Sequence, residues 1–308
     1  MEKLTSLEYQ VTGRIARITL NRPERGNAIT NEMPRELSAS VERANLDPRV
    51  HVIALAGNGT GFCGGYDLEL YAQKGQDRPH ADPAAQSPLD PGVQTRNHDP
   101  AQTWDPMLDY AFMGRNVRHF MSLFHSDKPV VCKVHGYCVA GGTDMALCSD
   151  LLVIEDKAKI GYPPARVWGS PTTSMWIYRV GIEKAKRLLF TGDCLSGTEA
   201  VEWGLAIECA PRAQLDERFE ILLERIACQP INQLMMMKLL VNQTVANMGL
   251  NSTQLLGTIF DGITRHTPEG YGFQQLAARE GYREAVRQRD EPMGDLGLST
   301  YKDRPRHE

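Results

Sequence analysis

Two glycine-rich stretches hold the residues best suited to chemistry: Phe62-Cys63-Gly64-Gly65-Tyr66-Asp67 and Ala140-Gly141-Gly142-Thr143-Asp144. Each follows an apolar run and precedes a helix-like pattern, so each reads as a strand-to-helix turn. Glycine admits positive φ and lets a ligand approach the main chain closely. The first N–H groups of a helix lack internal partners and point outward at the positive end of its dipole. Two such turns facing each other would aim two N–H donors at one oxygen, which is the requirement for stabilising an oxyanion. Either turn alone is equally a packing feature. Neither is a phosphate cradle, since no GxxxxGK[ST] and no GxGxxG after a first strand occurs. Asp144 is a carboxylate near a helix start, where the dipole favours negative charge by about 0.3–1 kcal/mol, or an acid–base group beside that oxygen.

The elements that must position these turns are legible in outline. Ile15–Leu20 alternates as a strand and ends at the turn Asn21-Arg22-Pro23. Met33, Leu37 and Val41 recur every four residues, marking a helix that starts near Asn31. Val52–Ala56, Pro129–Val134 and Leu151–Ile154 are short apolar runs of the kind buried parallel strands use. Helices are expected over Met113–Phe124 and from Leu215, where Leu215, Phe219, Leu222, Leu223 and Ile226 share a face. The stretch Ile231–Met248 is apolar nearly all round, which predicts burial in its own core or against another subunit.

Residues 73–107 break the pattern, with six prolines and no period of either kind. They read as a loop insertion, mobile or lid-like. His80 and His98 within it are expected to face solvent, and His135 to be structural.

The chain has 308 residues, 42% apolar and 23% charged, with a net charge of -4. This composition excludes global disorder and offers no basic field for nucleic acid or an anionic membrane. No apolar run reaches the length of a membrane span and the N-terminus shows no secretory pattern, so a cytoplasmic enzyme is expected. The seven cysteines include no CxxC pair and read as small, reduced, mostly buried side chains, with no metal site.

The ordered phrases Ile18-Thr19-Leu20-Asn21-Arg22-Pro23-Glu24-Arg25-Gly26-Asn27-Ala28, Gly61-Phe62-Cys63-Gly64-Gly65-Tyr66-Asp67-Leu68, Lys128-Pro129-Val130-Val131, Val134-His135-Gly136-Tyr137, Ala140-Gly141-Gly142, Cys148-Ser149-Asp150, Leu189-Phe190-Thr191-Gly192, Ala200-Val201-Glu202 and Gly204-Leu205 resemble the enoyl-CoA hydratase/isomerase (crotonase) superfamily. The resemblance covers about residues 5 to 210. It implies an α/β, crotonase-like core of repeated ββα units over 1–210, with a C-terminal helical region over 211–308 for oligomerisation or as a lid. It implies an acyl-CoA substrate, no separate cofactor, and a homotrimer or hexamer. It makes the backbone N–H groups of Tyr66 and Gly141 the oxyanion donors and Asp144 the first catalytic carboxylate. Gly64, Gly65, Arg25 and Asp67 fall near the CoA moiety by the same analogy; Arg25 is equally an ordinary surface arginine.

One departure bears on the chemistry. The phrase that carries the second carboxylate of hydratases reads Ile160-Gly161-Tyr162-Pro163-Pro164-Ala165-Arg166-Val167-Trp168-Gly169 here, with Pro164 or Ala165 in place of the acid. No Asp or Glu lies between Lys157 and Ile182. Asp82, Asp90, Asp99 and Asp105 of the insertion are the available substitutes. Trp168, beside the missing acid, reads as a wall of the acyl pocket or as a buried aromatic with no substrate role. The expected function is hydration or isomerisation of an enoyl-CoA, in fatty-acid or related catabolism. The alternatives are a single-carboxylate isomerase or decarboxylase, and a weakly catalytic acyl-CoA-binding protein.

Overall fold

The computed structural model describes residues 4–73 and 87–293. Its first half builds strands β1 (Leu7–Thr12), β2 (Ile15–Leu20) and β3 (Val52–Gly57), with helix α1 (Met33–Leu46) between the last two. Helices α2 (Pro91–Asn97) and α3 (Pro106–Phe120) precede β4 (Val130–Val134), β5 (Tyr137–Val139) and the short helix α4 (Gly141–Ala146). Then come β6 (Leu151–Glu155), β7 (Lys159–Gly161), α5 (Met175–Val180), α6 (Ile182–Thr191), β8 (Cys194–Ser196), α7 (Gly197–Glu202) and β9 (Glu208–Ala210). Five helices close the described chain: α8 (Arg212–Ala227), α9 (Ile231–Asn247), α10 (Leu250–Arg265), α11 (Pro268–Glu280) and α12 (Tyr282–Asp290).

The strands form a six-stranded sheet, in the order β1-β2-β3-β4-β6-β9, and a three-stranded sheet, β5-β7-β8. In the larger sheet only β1 runs antiparallel to its neighbour. Its inner strands are covered on both sides, which is why they read as unbroken apolar runs. Ile18, Leu20, Ile53, Leu55, Val130 and Cys132 face the main core with α1, while Val52, Ala54, Val131 and Val153 face α8 through Leu215, Phe219 and Leu223. Each such Val, Leu, Ile or Phe side chain contributes roughly 1.5–3 kcal/mol by leaving water.

The structure revises one expectation and narrows another. The insertion is not wholly irregular, because α2 and the start of α3 lie inside it; Asp90 and Asp105 cap those helices, accepting from Gly92 and Met107 N–H groups at 2.8 Å each. Proline at the first helical turn suits both starts, and it is these prolines that made the segment look loop-like. His80 and Asp82 lie outside the described residues. Helix α9 is not buried in the chain's own core: Lys238 is its one buried residue, while Leu239, Leu240 and Val241 are more than 60% exposed.

Candidate functional site

The two glycine turns meet. Gly65 sits at φ +92°, and a Cβ placed there would lie 2.7 Å from the Ala140 Cβ and 3.4 Å from the Gly141 nitrogen. A Cβ on Gly141 would lie 2.8 Å from the Tyr66 ring, and one on Gly142 would lie 2.7 Å from the Cys63 carbonyl oxygen. Only glycine permits this contact between the two main chains. A bond from the Val139 N–H to the Cys63 carbonyl, 3.0 Å, joins the two turns, and one from the Gly64 N–H to the Gly26 carbonyl, 2.9 Å, ties the first turn to the loop after β2. Ala140 itself takes φ 54° and ψ -129°, a conformation that costs a non-glycine residue about 1–3 kcal/mol. The N–H groups of Tyr66 and Gly141 have no backbone carbonyl partner among the described residues.

These turns border an apolar cavity of about 250 Å³. Tyr66, Gly141, Tyr162, Pro164, Trp168 and Phe273 line it, among others. Gly64 also lines it, and Trp168 lies against Phe273 with ring centroids 5.3 Å apart, so Trp168 is a cavity wall. Pro164, which with Ala165 falls in the phrase expected to carry a second acid, lines the cavity and offers only hydrocarbon.

Asp144 is 2% exposed on α4. Its Oδ1 accepts from the Thr173 N–H at 3.1 Å and the Thr173 hydroxyl at 2.9 Å, while its Oδ2 is buried with no hydrogen-bond partner among the described residues. Burial without a neighbouring cation pushes the Asp144 carboxyl up to about 7, and the negative charge of Asp261 adds to the effect.

Asp67 and Arg25 are engaged with each other. Asp67 takes Arg25 at 3.1 Å and Arg22 at 3.3 Å, and Arg25 also holds Glu69 at 2.6 Å. Arg25 is therefore neither a solvated lone arginine nor an uncommitted cation.

Among the described residues the acids of the insertion do not line the cavity: Asp90 and Asp105 are spent on helix caps, and Asp99 accepts the Ala101 N–H at 2.9 Å. A carboxylate enters instead from the C-terminal helices. Asp261 of α10 is 5% exposed, lines the cavity, accepts the Ser170 N–H at 3.3 Å and is paired with Arg265. The sequence carried a signal for it that apolar periodicity overlooks. Gln254, Gly257, Thr258, Asp261 and Gly262 repeat at helical spacing, small or polar, on the buried face of α10, and Asp261 and Arg265 form an i,i+4 pair.

His98 is a further correction. It is not solvent-exposed: its side chain is 13% accessible, packed against His266 and 3.4 Å from Asp109. Burial lowers its basicity. His98, Asp109 and His266 have the donor types of a metal site, but Asp109 and His266 are engaged with partners of their own. Asp109 accepts from Trp104 at 2.7 Å, Asn97 at 3.3 Å and Arg265 at 3.0 Å, and both His266 nitrogens face carbonyl oxygens, of Gly262 at 2.8 Å and Asn97 at 3.0 Å. His135 is structural as expected, buried with its Nε2 on the Gly59 carbonyl at 2.9 Å.

The sheet pair, the facing glycine turns and the cavity beside them agree with the family resemblance of the sequence. The enoyl-CoA hydratase/isomerase family model matches residues 10–90 and 105–275, and the chain belongs to that family. It is similar to the crystal structure of an enoyl-CoA hydratase from Mycobacterium smegmatis, 53% identical, with a TM-score of 0.90 and 98% of each chain covered. It is 29% identical to the EchA13 protein of Mycobacterium tuberculosis over 90% of this chain and 89% of that one. It is also 29% identical to the 1,2-epoxyphenylacetyl-CoA isomerase of Escherichia coli, over 87% and 89% respectively.

Proposed function

We propose that the protein is a lyase or isomerase of acyl-CoA thioesters that works through an enolate. The thioester oxygen is held by the Tyr66 and Gly141 N–H groups, and Asp144 moves the proton at Cα. The observation that carries this reading is the contact of the two glycine turns, which leaves those two N–H groups unspent beside an apolar cavity. A donor in such a position is worth about 2.7–4 kcal/mol of transition-state stabilisation. Asp144, pushed up to about 7, is balanced between giving and taking a proton at neutral pH. The acyl chain lies in the cavity against Trp168 and Phe273. Gly64, Gly65, Asp67 and Arg25 sit toward the CoA moiety, with the Arg25–Asp67 pair fixing the loop rather than donating a free charge.

Residues 1–210 carry the thioester-binding turns in this reading, and the helices after Ala210 wall the acyl cavity and mediate self-association. The exposed apolar residues of α9 and α10, such as Leu239, Leu240 and Phe260, suit a buried interface in a trimer or a pair of trimers. No described helix is long and apolar enough to cross a membrane.

The test is deuterium exchange into Cα of hexanoyl-CoA in heavy water, with binding followed by calorimetry. Exchange by the wild type that Asp144→Asn abolishes, with binding retained, is the expected result. Saturable binding without exchange would leave an acyl-CoA-binding protein in place of an enzyme.

A further inference from the structure

Two carboxylates, Asp261 and Asp290, line the cavity, and their partners separate them. Asp290 lines the wall but is clamped by Arg289 at 2.7 and 2.9 Å and by Arg166 at 3.0 Å, which holds it ionised. Asp261 has a single cationic partner, Arg265, and one long hydrogen bond from Ser170. The segment Ser170–Thr173 gives one backbone N–H to each of two carboxylates, Ser170 to Asp261 and Thr173 to Asp144. Helix α10 is also tied to that segment by the Gln254 amide, which donates to the Thr173 carbonyl at 3.0 Å. Asp261 and Asp144 thus hang from the same short turn, and the negative charge of Asp261 reaches Asp144. Asp261 likewise bears on the phenols of Tyr66 and Tyr162 at the cavity wall.

The approach of α10 is built in. A Cβ on Gly257 would lie 2.6 Å from the Ser174 hydroxyl and 2.8 Å from the Pro171 carbonyl, and one on Gly262 would lie 3.0 Å from the Asp109 Cβ. Glycine on either side of Asp261 lets the helix press against both the 170–174 turn and α3. Arg265, one turn on, bridges Asp261 to Asp109.

We propose that Asp261 is the second acid–base group of the site, supplying from α10 what Pro164 cannot, and that Arg265, anchored on Asp109, is its positioning residue. The inference rests on the enolate chemistry proposed above. On a 2-enoyl thioester the Asp261 carboxylate takes a proton from water as the water oxygen bonds to Cβ. The π pair of the alkene moves toward the thioester, whose oxygen gains charge against the Tyr66 and Gly141 N–H groups. The carbonyl then re-forms as Asp144 gives its proton to Cα. Water has been added and one proton has passed from Asp144 to Asp261; exchange with solvent restores both.

The charged groups that bear on Asp261 are Arg265 on its own helix and Asp109 on α3, and the charge of Asp261 in turn bears on Asp144, Tyr66 and Tyr162. Burial raises its carboxyl from the ordinary range and Arg265 pulls the other way.

The experiment compares the full-length wild type, Asp261→Asn and Arg265→Gln on trans-2-hexenoyl-CoA hydration and on Cα exchange of hexanoyl-CoA. Asp261→Asn is expected to lose hydration at least about 100-fold and to lose far less of the Cα exchange, with its folding intact by thermal melting. Arg265→Gln is expected to move the acidic limb of the hydration profile to higher pH, because removing a cation raises the pKa of its carboxylate. Hydration by Asp261→Asn within a few fold of wild type overturns the proposal. So does parallel loss of hydration, exchange and thermal stability, which assigns Asp261 a structural role. An unmoved acidic limb in Arg265→Gln overturns the positioning role. Wild-type exchange without hydration overturns the Asp261 step and spares the enolate reading. Absence of both activities overturns the two together.

Discussion

Arg265 donates to Asp109 across 3.0 Å of space and 156 residues of sequence, and both side chains are nearly inaccessible to water. The contact joins the end of α10 to the start of α3, so the helix that carries Asp261 is fixed to the helix that follows the insertion. Trp104 and Asn97 donate to the same Asp109 carboxylate from within the insertion.

Removing Asp109 leaves a buried guanidinium with one partner fewer. Asp109→Ala is therefore expected to destabilise the fold by about 3–5 kcal/mol. Urea titration at neutral pH measures it. The double variant with Arg265→Gln should cost clearly less than the sum of the two single changes, because the charges compensate each other.

Asp144 makes stability fall as pH rises. Its folded-state value, about 7, lies above the ordinary 3.8, so the unfolded chain ionises first. The contribution of the neutral acid is complete below about pH 4 and is lost through about pH 7, by roughly 4 kcal/mol at most. Asp144→Asn should lack this component. Melting temperatures of the two proteins, followed from pH 4.5 to 8, should converge or cross toward alkaline pH; parallel curves would refute a neutral Asp144.

The same ionisation predicts an alkaline limb in turnover. The step in which Asp144 gives a proton requires the acid form, so the hydration rate should fall above about pH 7. A profile flat from pH 6 to 9 would remove Asp144 from that step.

Gly65→Ala tests the meeting of the turns. The new Cβ would sit 2.7 Å from the Ala140 Cβ at a backbone φ of +92°, so the turns must part. A loss of about 10²–10³ in turnover is expected, with hexanoyl-CoA binding weakened less than turnover. A variant of wild-type activity would show that the oxygen is held elsewhere.

Leu240 is 65% exposed on the apolar face of α9. Leu240→Asp puts a charge where self-association would bury one, so it should lower the mass measured by light scattering. An unchanged oligomer would place the interface on another face.

Much of the site was legible in the sequence because its signals are local. Glycines that permit a main-chain approach, a carboxylate three residues past Gly141, and apolar runs bounded by turns are written in short windows. Ile15–Leu20 appears as a strand with those limits, and the departure at Pro164 is visible in one phrase. The outlook for 73–107 was poorer because prolines at the starts of α2 and α3 disguise helix as loop.

What only the tertiary structure decided depends on contacts between distant segments. His98 and Asp109 look like ordinary polar residues until Arg265, His266 and Trp104 enclose them. Asp261 reads as a charge in a C-terminal helix until Gly257 and Gly262 let α10 close on the 170–174 turn. The sequence by itself determined the family, four strands of the larger sheet and the two glycine turns that meet. It could not determine which carboxylate lines the cavity, because that follows from the packing of a helix more than a hundred residues beyond Asp144, and no local pattern encodes that distance.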